Sequence, residues 1–137
     1  MSTPTATPKP MPEPDEQSMP YFEAGGRGIL LLKQCDACRA FLLPDAKFCS
    51  QCLGESLAWA EVSGKGTLFT FGIVHQKLPG FEDDVPYNVS VVQLAEGVRM
   101  TSNVIECAND DLKVGMPLKV TFTDAGNGTP LPRFRPA

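Results

Sequence analysis

Four cysteines constrain this chain more than any other feature. Cys35, Cys38, Cys49 and Cys52 form two C-x2-C pairs separated by ten residues. Each pair can present two thiolates from one tight turn, and the connection is long enough to form a hairpin that brings both turns around one tetrahedral zinc. Four thiolates complete the coordination of such an ion and leave no open position for water, so the implied metal is structural, not catalytic. The flanking Leu30, Leu31, Leu32, Phe41, Leu42, Leu43, Phe48 and Leu53 could not hold a unit of under about 40 residues together without a metal or a covalent staple. Many ribbons place glycine directly after the second cysteine of each turn. Here Arg39 and Leu53 stand in those places, and Gly54 comes one residue late. Cys107 lies far downstream at the end of an apolar strand pattern and reads as a small buried hydrophobe.

The rest of the chain sets limits of size and charge. Six of the 13 prolines fall within residues 1–20 of the 137, where the large apolar residues are Met1, Met11 and Met19. Residues 1–18 are therefore expected to be a disordered Pro-rich tail. About 117 residues remain, too few for a Rossmann, TIM-barrel or α/β-hydrolase domain. No apolar run reaches the 18 or so residues of a membrane span, and the start lacks the basic end and apolar stretch of a signal peptide. An odd number of cysteines without a secretory signal argues against a disulfide framework, so a cytoplasmic chain is expected. The net charge of −4, from 12 Lys and Arg against 16 Asp and Glu, disfavours the clustered cations of a nucleic-acid binder.

Local patterns predict a mainly β fold. In residues 19–26, MPYFEAGG, Pro20 suits an early helical position and Gly25-Gly26 an end, which predicts a short helix that docks through Tyr21 and Phe22. Residues 28–34 predict a strand leading into the first cysteine turn. With Trp59 begins a region of short period-two strands. In residues 67–75, Phe69, Phe71, Ile73 and His75 share one face, and Leu68, Thr70, Gly72 and Val74 the other. Residues 89–94 and 98–105 flank a turn at Ala95-Glu96-Gly97, and 118–123 alternates Leu118, Val120 and Phe122 inward with Lys119, Thr121 and Thr123 outward. A last strand is expected from Leu131 to Phe134. Five strands with Gly72 as a bending point in the first suggest a small barrel of OB type. The predicted division is residues 19–58 for the helix and zinc ribbon and 59–137 for the OB-fold.

The order of these parts resembles the acyl-CoA-associated family that joins a rubredoxin-like zinc ribbon to an OB-fold, domain of unknown function 35. The matching pieces are the YFEAG segment, both cysteine turns with Pro44 between them, Trp59, Ser63-Gly64-Lys65-Gly66, Pro86-Tyr87, Glu96-Gly97-Val98-Arg99 and Val114-Gly115-Met116. The missing glycines after the cysteine turns depart from the family's usual pattern. The resemblance implies an accessory subunit that docks on a thiolase-like enzyme, an acyl-CoA thiolase, an acyltransferase or a steroid side-chain retro-aldolase, and helps hold its acyl-CoA. It implies a hetero-oligomer, with two copies of each chain, and no catalytic residue in this one.

The residues themselves agree with that expectation. One histidine, His75, and no Ser/His/Asp or paired-carboxylate spacing make catalysis by this chain alone hard to assemble. For the phosphates of CoA the candidates are Lys65, Lys77, Arg99, Arg133 and Arg135, because phosphate calls for cations or free backbone N–H groups. Phe81, in the long connection between the first two barrel strands, is a further ligand candidate. The competing reading is a zinc-ribbon and OB-fold nucleic-acid binder. It would need aromatics interleaved with basic residues on the barrel face, and the central hairpin carries Asn88, Ser90, Gln93, Thr101 and Asn103 with Arg99 as its one cation.

Overall fold

The computed structural model describes residues 14–77, 84–125 and 128–137. Most of the expected Pro-rich tail, and Phe81, lie outside the described residues. Residues 15–18, expected as the end of the tail, instead form the turn that starts the helix. Asp15 N–H donates to Ser18 Oγ (2.9 Å) and Ser18 N–H to Asp15 Oδ1 (2.8 Å). Helix α1, Met19–Gly26, follows, with proline in its first turn. It ends where Arg27 and Gly28 donate back to Ala24 and Gly25, and Gly28 takes the left-handed conformation at φ 77°. The helix packs closely on the barrel. A Cβ on Gly25 would stand 3.0 Å from Phe122 Cε1.

Two antiparallel sheets account for the rest. In the first, β1 (Leu30–Cys35) lies between β2 (Phe41–Leu42) and β3 (Leu57–Val62). β3 pairs with β1 continuously from Leu30↔Val62 to Cys35↔Leu57. Trp59, expected at the start of the barrel strands, therefore sits in the ribbon's own sheet. In the second sheet β4 (Lys65–Val74) is flanked by β5 (Tyr87–Leu94) and β7 (Pro117–Asp124), with β6 (Arg99–Ser102) outside β5 and β8 (Pro130–Pro136) outside β7. The sheet curls until its edges meet. Phe134 N–H donates to Asn103 O (3.0 Å) and Ile105 N–H to Phe134 O (2.8 Å), a parallel bridge between Val104 and Phe134. This five-stranded half-barrel is consistent with the expected OB-fold.

The first barrel strand departs from strict alternation. Leu68 pairs with Val92 but Thr70 pairs with Val91, so Phe69 is an extra residue in a β-bulge. Leu68, Phe71 and Ile73 consequently all belong to the core, whereas Phe69 faces outward. The bend was expected at Gly72, which instead pairs regularly with Val89.

One apolar core serves both modules. Leu30 and Leu32 of the ribbon, Tyr21 of the helix and Leu68, Val92, Leu118 and Phe134 of the barrel form a single buried cluster. Burying a leucine contributes about 1.5–3 kcal/mol, so the ribbon strand and the barrel stabilise each other. Tyr21 stacks on Trp59 at 6.5 Å and meets Phe22 edge-on at 5.2 Å, which ties the helix to β3. Cys107, half-buried, packs against the same core as a small apolar residue.

Candidate metal centre

The ribbon sheet positions four sulfurs by repeating one backbone device. At the first turn Arg39 N–H donates to Cys35 O (2.9 Å) and Cys35 N–H to Ala40 O (2.9 Å). At the second Leu53 N–H donates to Cys49 O (2.8 Å) and Cys49 N–H to Gly54 O (2.8 Å). Both turns close only if the residue after the second cysteine is left-handed. Arg39 has φ 68° and Leu53 φ 63°, so the positions usually given to glycine are strained here by side chains. Gly54 has its own reason to lack a side chain. A Cβ there would lie 3.3 Å from Cys52 Sγ and 3.5 Å from Cys35 Sγ. Ser56 Oγ donates to Asp36 Oδ2 (2.7 Å) and Asp36 N–H to Ser56 O (3.0 Å), joining the first turn to the start of β3.

The four Sγ atoms lie within 4.8 Å of one another. Cys35 Sγ is 3.5 Å from Cys52 Sγ, and Cys38 Sγ is 3.5 Å from Cys49 Sγ. A tetrahedron with Zn–S bonds of about 2.3 Å has sulfur–sulfur edges near 3.8 Å, so the donor set and its spacing fit zinc. Cys35 and Cys49 are buried, Cys38 and Cys52 exposed. In the metal-free cluster the thiols divide into two kinds. The Cys38 backbone N–H draws the Cys35 thiol down to about 7, and the Cys52 N–H lowers Cys49. Cys38 is held down by the Ala40 N–H, but its neighbour Cys49 and desolvation outweigh this and push it up to about 12; Cys52 also rises, its Gly54 N–H outweighed chiefly by Cys35. A dication among them removes that conflict, because every sulfur then carries its charge against the metal.

The remaining candidates are dispersed. Lys65, at the start of β4, and Lys77 are exposed. Arg99 is exposed, and its guanidinium lies 3.8 Å above the Phe69 ring, so the bulge that turns Phe69 outward supplies a cation–π partner. Arg133 is half-buried and lines a cavity of about 390 Å³ with Tyr87, Asn88, Asn103 and Asn109. Arg135 meets Glu106 at 3.5 Å. His75 is exposed just beyond β4.

Two residues that matter escaped the sequence reading. Lys119 was read only as outward-facing; its register places it directly between Lys65 and Arg135. Asn88 was seen as polar but not as the centre of a buried network, and an isolated asparagine gives no sequence signal of that kind.

Comparison with known proteins agrees with this architecture. Residues 22–58 match the family model of the ChsH2 rubredoxin-like zinc ribbon domain and residues 59–123 that of the ChsH2 C-terminal OB-fold domain. The chain belongs to the ChsH2 zinc-ribbon and OB-fold family. Among relatives of this family, a protein of Thermomonospora curvata named probable enoyl-CoA hydratase alpha subunit is 31% identical over 94% of the chain. The chain spans 40% of that relative's length. A DUF35 domain-containing scaffold protein of Methanocaldococcus jannaschii is 29% identical over 70% of the chain and 69% of its own length. Among solved structures, a ChsH2-family chain described as Ltp2-ChsH2(DUF35) aldolase superposes with a TM-score of 0.78 at 29% identity, covering 91% of this chain and 98% of that one. A DUF35 protein of unknown function from Sulfolobus solfataricus, 12% identical with a TM-score of 0.61 over 89% of this chain and 86% of its own, shares the fold. The ribbon model encloses all four cysteines, so the metal-binding cluster is a zinc ribbon. Among the described residues no helix is long and apolar enough to cross a membrane.

Proposed function

We propose that this chain is a non-catalytic accessory subunit that docks on a thiolase-like enzyme and helps to bind its acyl-CoA. The observation that carries the reading is the likeness, over nearly the whole of that chain, to a ChsH2-family chain described as part of an aldolase with Ltp2. Relatives named as scaffold proteins and as a hydratase alpha subunit point the same way. The chemistry of the chain is consistent with it. A four-thiolate zinc has no open coordination position for a substrate or water, so the metal holds shape and the reacting groups belong to the partner.

The division of labour proposed is a ribbon and an N-terminal helix at residues 19–58 fixed rigidly to a barrel at residues 59–137, in a hetero-oligomer with two copies of each chain. The partner is an acyl-CoA thiolase, an acyltransferase or a side-chain retro-aldolase, and the site of action is the cytoplasm. Coexpression with the thiolase-like protein encoded beside it is expected to give one complex on size exclusion, active on an acyl-CoA, while the chain alone shows no turnover. Two proteins that purify apart, with the barrel retaining single-stranded DNA at physiological salt, would replace this reading with the nucleic-acid one.

A further inference from the structure

The cations of this acidic chain are not evenly spread. Register places Lys65 of β4 opposite Lys119 of β7, and Lys119 opposite Arg135 of β8. Directly opposed residues point to the same side of a sheet, and here it is the outer one, since Leu118 and Phe134, one residue removed, are buried in the core. The three side chains therefore stand in a row across about 10 Å, two strand spacings. Arg133, two residues before Arg135, shares that face and is paired with Thr121. Four of the chain's 12 Lys and Arg are thus gathered on one patch of a molecule whose net charge is −4.

Like charges directly opposed across strands destabilise a sheet, and nothing in the fold requires them. Little on the patch neutralises them. Among the described residues the one carboxylate that pairs with the row is Glu106, on Arg135 at 3.5 Å with both side chains largely in solvent, and Arg135 Nε is buried without a hydrogen-bond partner. Arg133 has no hydrogen bond or ion pair among the described residues, and burial alone disfavours its charge. It lines the cavity of about 390 Å³ at the end of the barrel, where Asn103 and Asn109 also lie. Half-buried guanidinium without an anion, next to a row of uncompensated cations, is the chemistry of a phosphate site.

We propose that the row Lys65–Lys119–Arg135, with Arg133 at its cavity end, binds the phosphate-bearing nucleotide end of the acyl-CoA. This rests on the accessory-subunit reading for the identity of the ligand, and adds to it a location and a residue, Lys119. The row matches several phosphates spread over about 10 Å better than it matches a single anion, and it lies well away from the zinc cluster in the fold.

The test titrates the full chain, zinc-loaded, with adenosine 3′,5′-bisphosphate, coenzyme A, pantetheine and a short single-stranded DNA, following backbone amide shifts and affinity. Bisphosphate and coenzyme A are expected to bind, more weakly as salt is added, and to shift amides of β7 and β8, while pantetheine does not. Lys119→Gln and Arg133→Gln should each weaken bisphosphate binding about tenfold, and Lys77→Gln, off the row, should leave it unchanged. Undiminished bisphosphate affinity in both variants overturns the site, and if the partner enzyme still copurifies the subunit reading survives that result. Loss of bisphosphate binding in the variants of a chain that purifies apart from any thiolase-like protein supports the site and overturns the subunit reading. DNA binding tighter than coenzyme A at the same amides overturns the proposal in favour of a nucleic-acid ligand.

Discussion

Arg39 and Leu53 are structural equivalents, each one residue past the second cysteine of its turn and each left-handed, at φ 68° and 63°. Each donates its N–H to the carbonyl of the first cysteine four residues earlier. The strain is therefore the cost of a hydrogen-bond pattern that aims the sulfurs. An L-residue in that conformation costs about 1–2 kcal/mol, and a glycine there gives back about half of the gain through the greater freedom of the unfolded chain. Leu53 is 71% exposed, so removing its side chain sacrifices little burial. Leu53→Gly is expected to stabilise the zinc-loaded chain by up to about 1 kcal/mol, seen as a higher thermal midpoint. Leu53→Val, with a branched Cβ in the same conformation, should lower it. A glycine variant that melts earlier would show that Leu53 contributes packing the exposure does not suggest.

Zinc uptake should depend on pH in a direction set by the two kinds of thiol. Cys35, drawn down to about 7, is largely ionised at about pH 8, whereas Cys38, pushed up to about 12, still holds its proton there. Zinc must displace whatever protons remain, so affinity falls as pH falls. Metal binding should release fewer than four protons at about pH 8 and close to four at about pH 6. Calorimetry in buffers of different ionisation enthalpy counts them; a count that does not change with pH contradicts the assignment. Since Leu30 and Leu32 share one core with the barrel, Cys49→Ser or chelation is expected to loosen the barrel as well as the ribbon, read as lost amide protection in β4 and β8. Protection that stays intact without metal would make the barrel an independent unit.

How much of this could be read from sequence depended on how local each feature is. The cysteine spacing, the helix over Met19–Gly26 and the alternation of Leu118 with Lys119 are decided by neighbours along the chain, and all were legible. Features set by partners across the sheet were not. The bulge at Phe69 exists because Leu68 and Thr70 pair with adjacent residues of β5, so counting by twos placed Phe69, Phe71 and Ile73 on one face. Trp59 looked like the beginning of the barrel because nothing local reveals that β3 pairs with β1. Lys119 was seen to face outward, but the row it completes depends on two registers at once. The missing glycines at Arg39 and Leu53 were noticed as an irregularity. That the backbone keeps the left-handed turn regardless required coordinates.

The turn into β4 offers a test of the backbone geometry beside the proposed cation row. Gly64 has φ 75°, and a Cβ there would stand 2.3 Å from Val120 Cγ1. Its carbonyl also accepts the Val120 N–H at 2.8 Å, so the clash cannot be relieved without breaking a link between β7 and the turn. Gly64→Ala should destabilise the chain by about 2–4 kcal/mol, strain and overpacking together. Gly97→Ala, also left-handed at φ 95° but with nothing within 4 Å of its Cβ, should cost about 1–2 kcal/mol, the backbone strain alone. Equal losses in urea unfolding would mean that the close approach to Val120 is relaxed in solution.

Asn88 holds the barrel closed. Its side-chain oxygen accepts Val104 N–H and Ser90 Oγ–H, each at 2.8 Å, and its amide donates to Val104 O at 2.8 Å and to Asn109 Oδ1 at 3.3 Å. Its backbone carbonyl accepts from the Asn103 amide. All of this happens at a buried residue beside Val104, whose bridge to Phe134 joins the two edges of the curled sheet. Replacing the side chain leaves the backbone N–H and C=O of Val104 without their partner in a site water cannot easily reach, and each such loss costs about 1–3 kcal/mol. Asn88→Ala should therefore destabilise the chain by about 2–5 kcal/mol. Asn88→Asp keeps the accepting oxygens but cannot donate to Val104 O, and it introduces a buried charge, so its deficit should shrink as the pH is lowered and the carboxyl is protonated. Hydrogen exchange localises the effect: in Asn88→Ala the Ile105 and Phe134 amides, which bond across the seam, should lose protection before those of β4. If they remain protected while the whole chain loses stability evenly, the closure depends on the apolar core around Phe134 and not on this network.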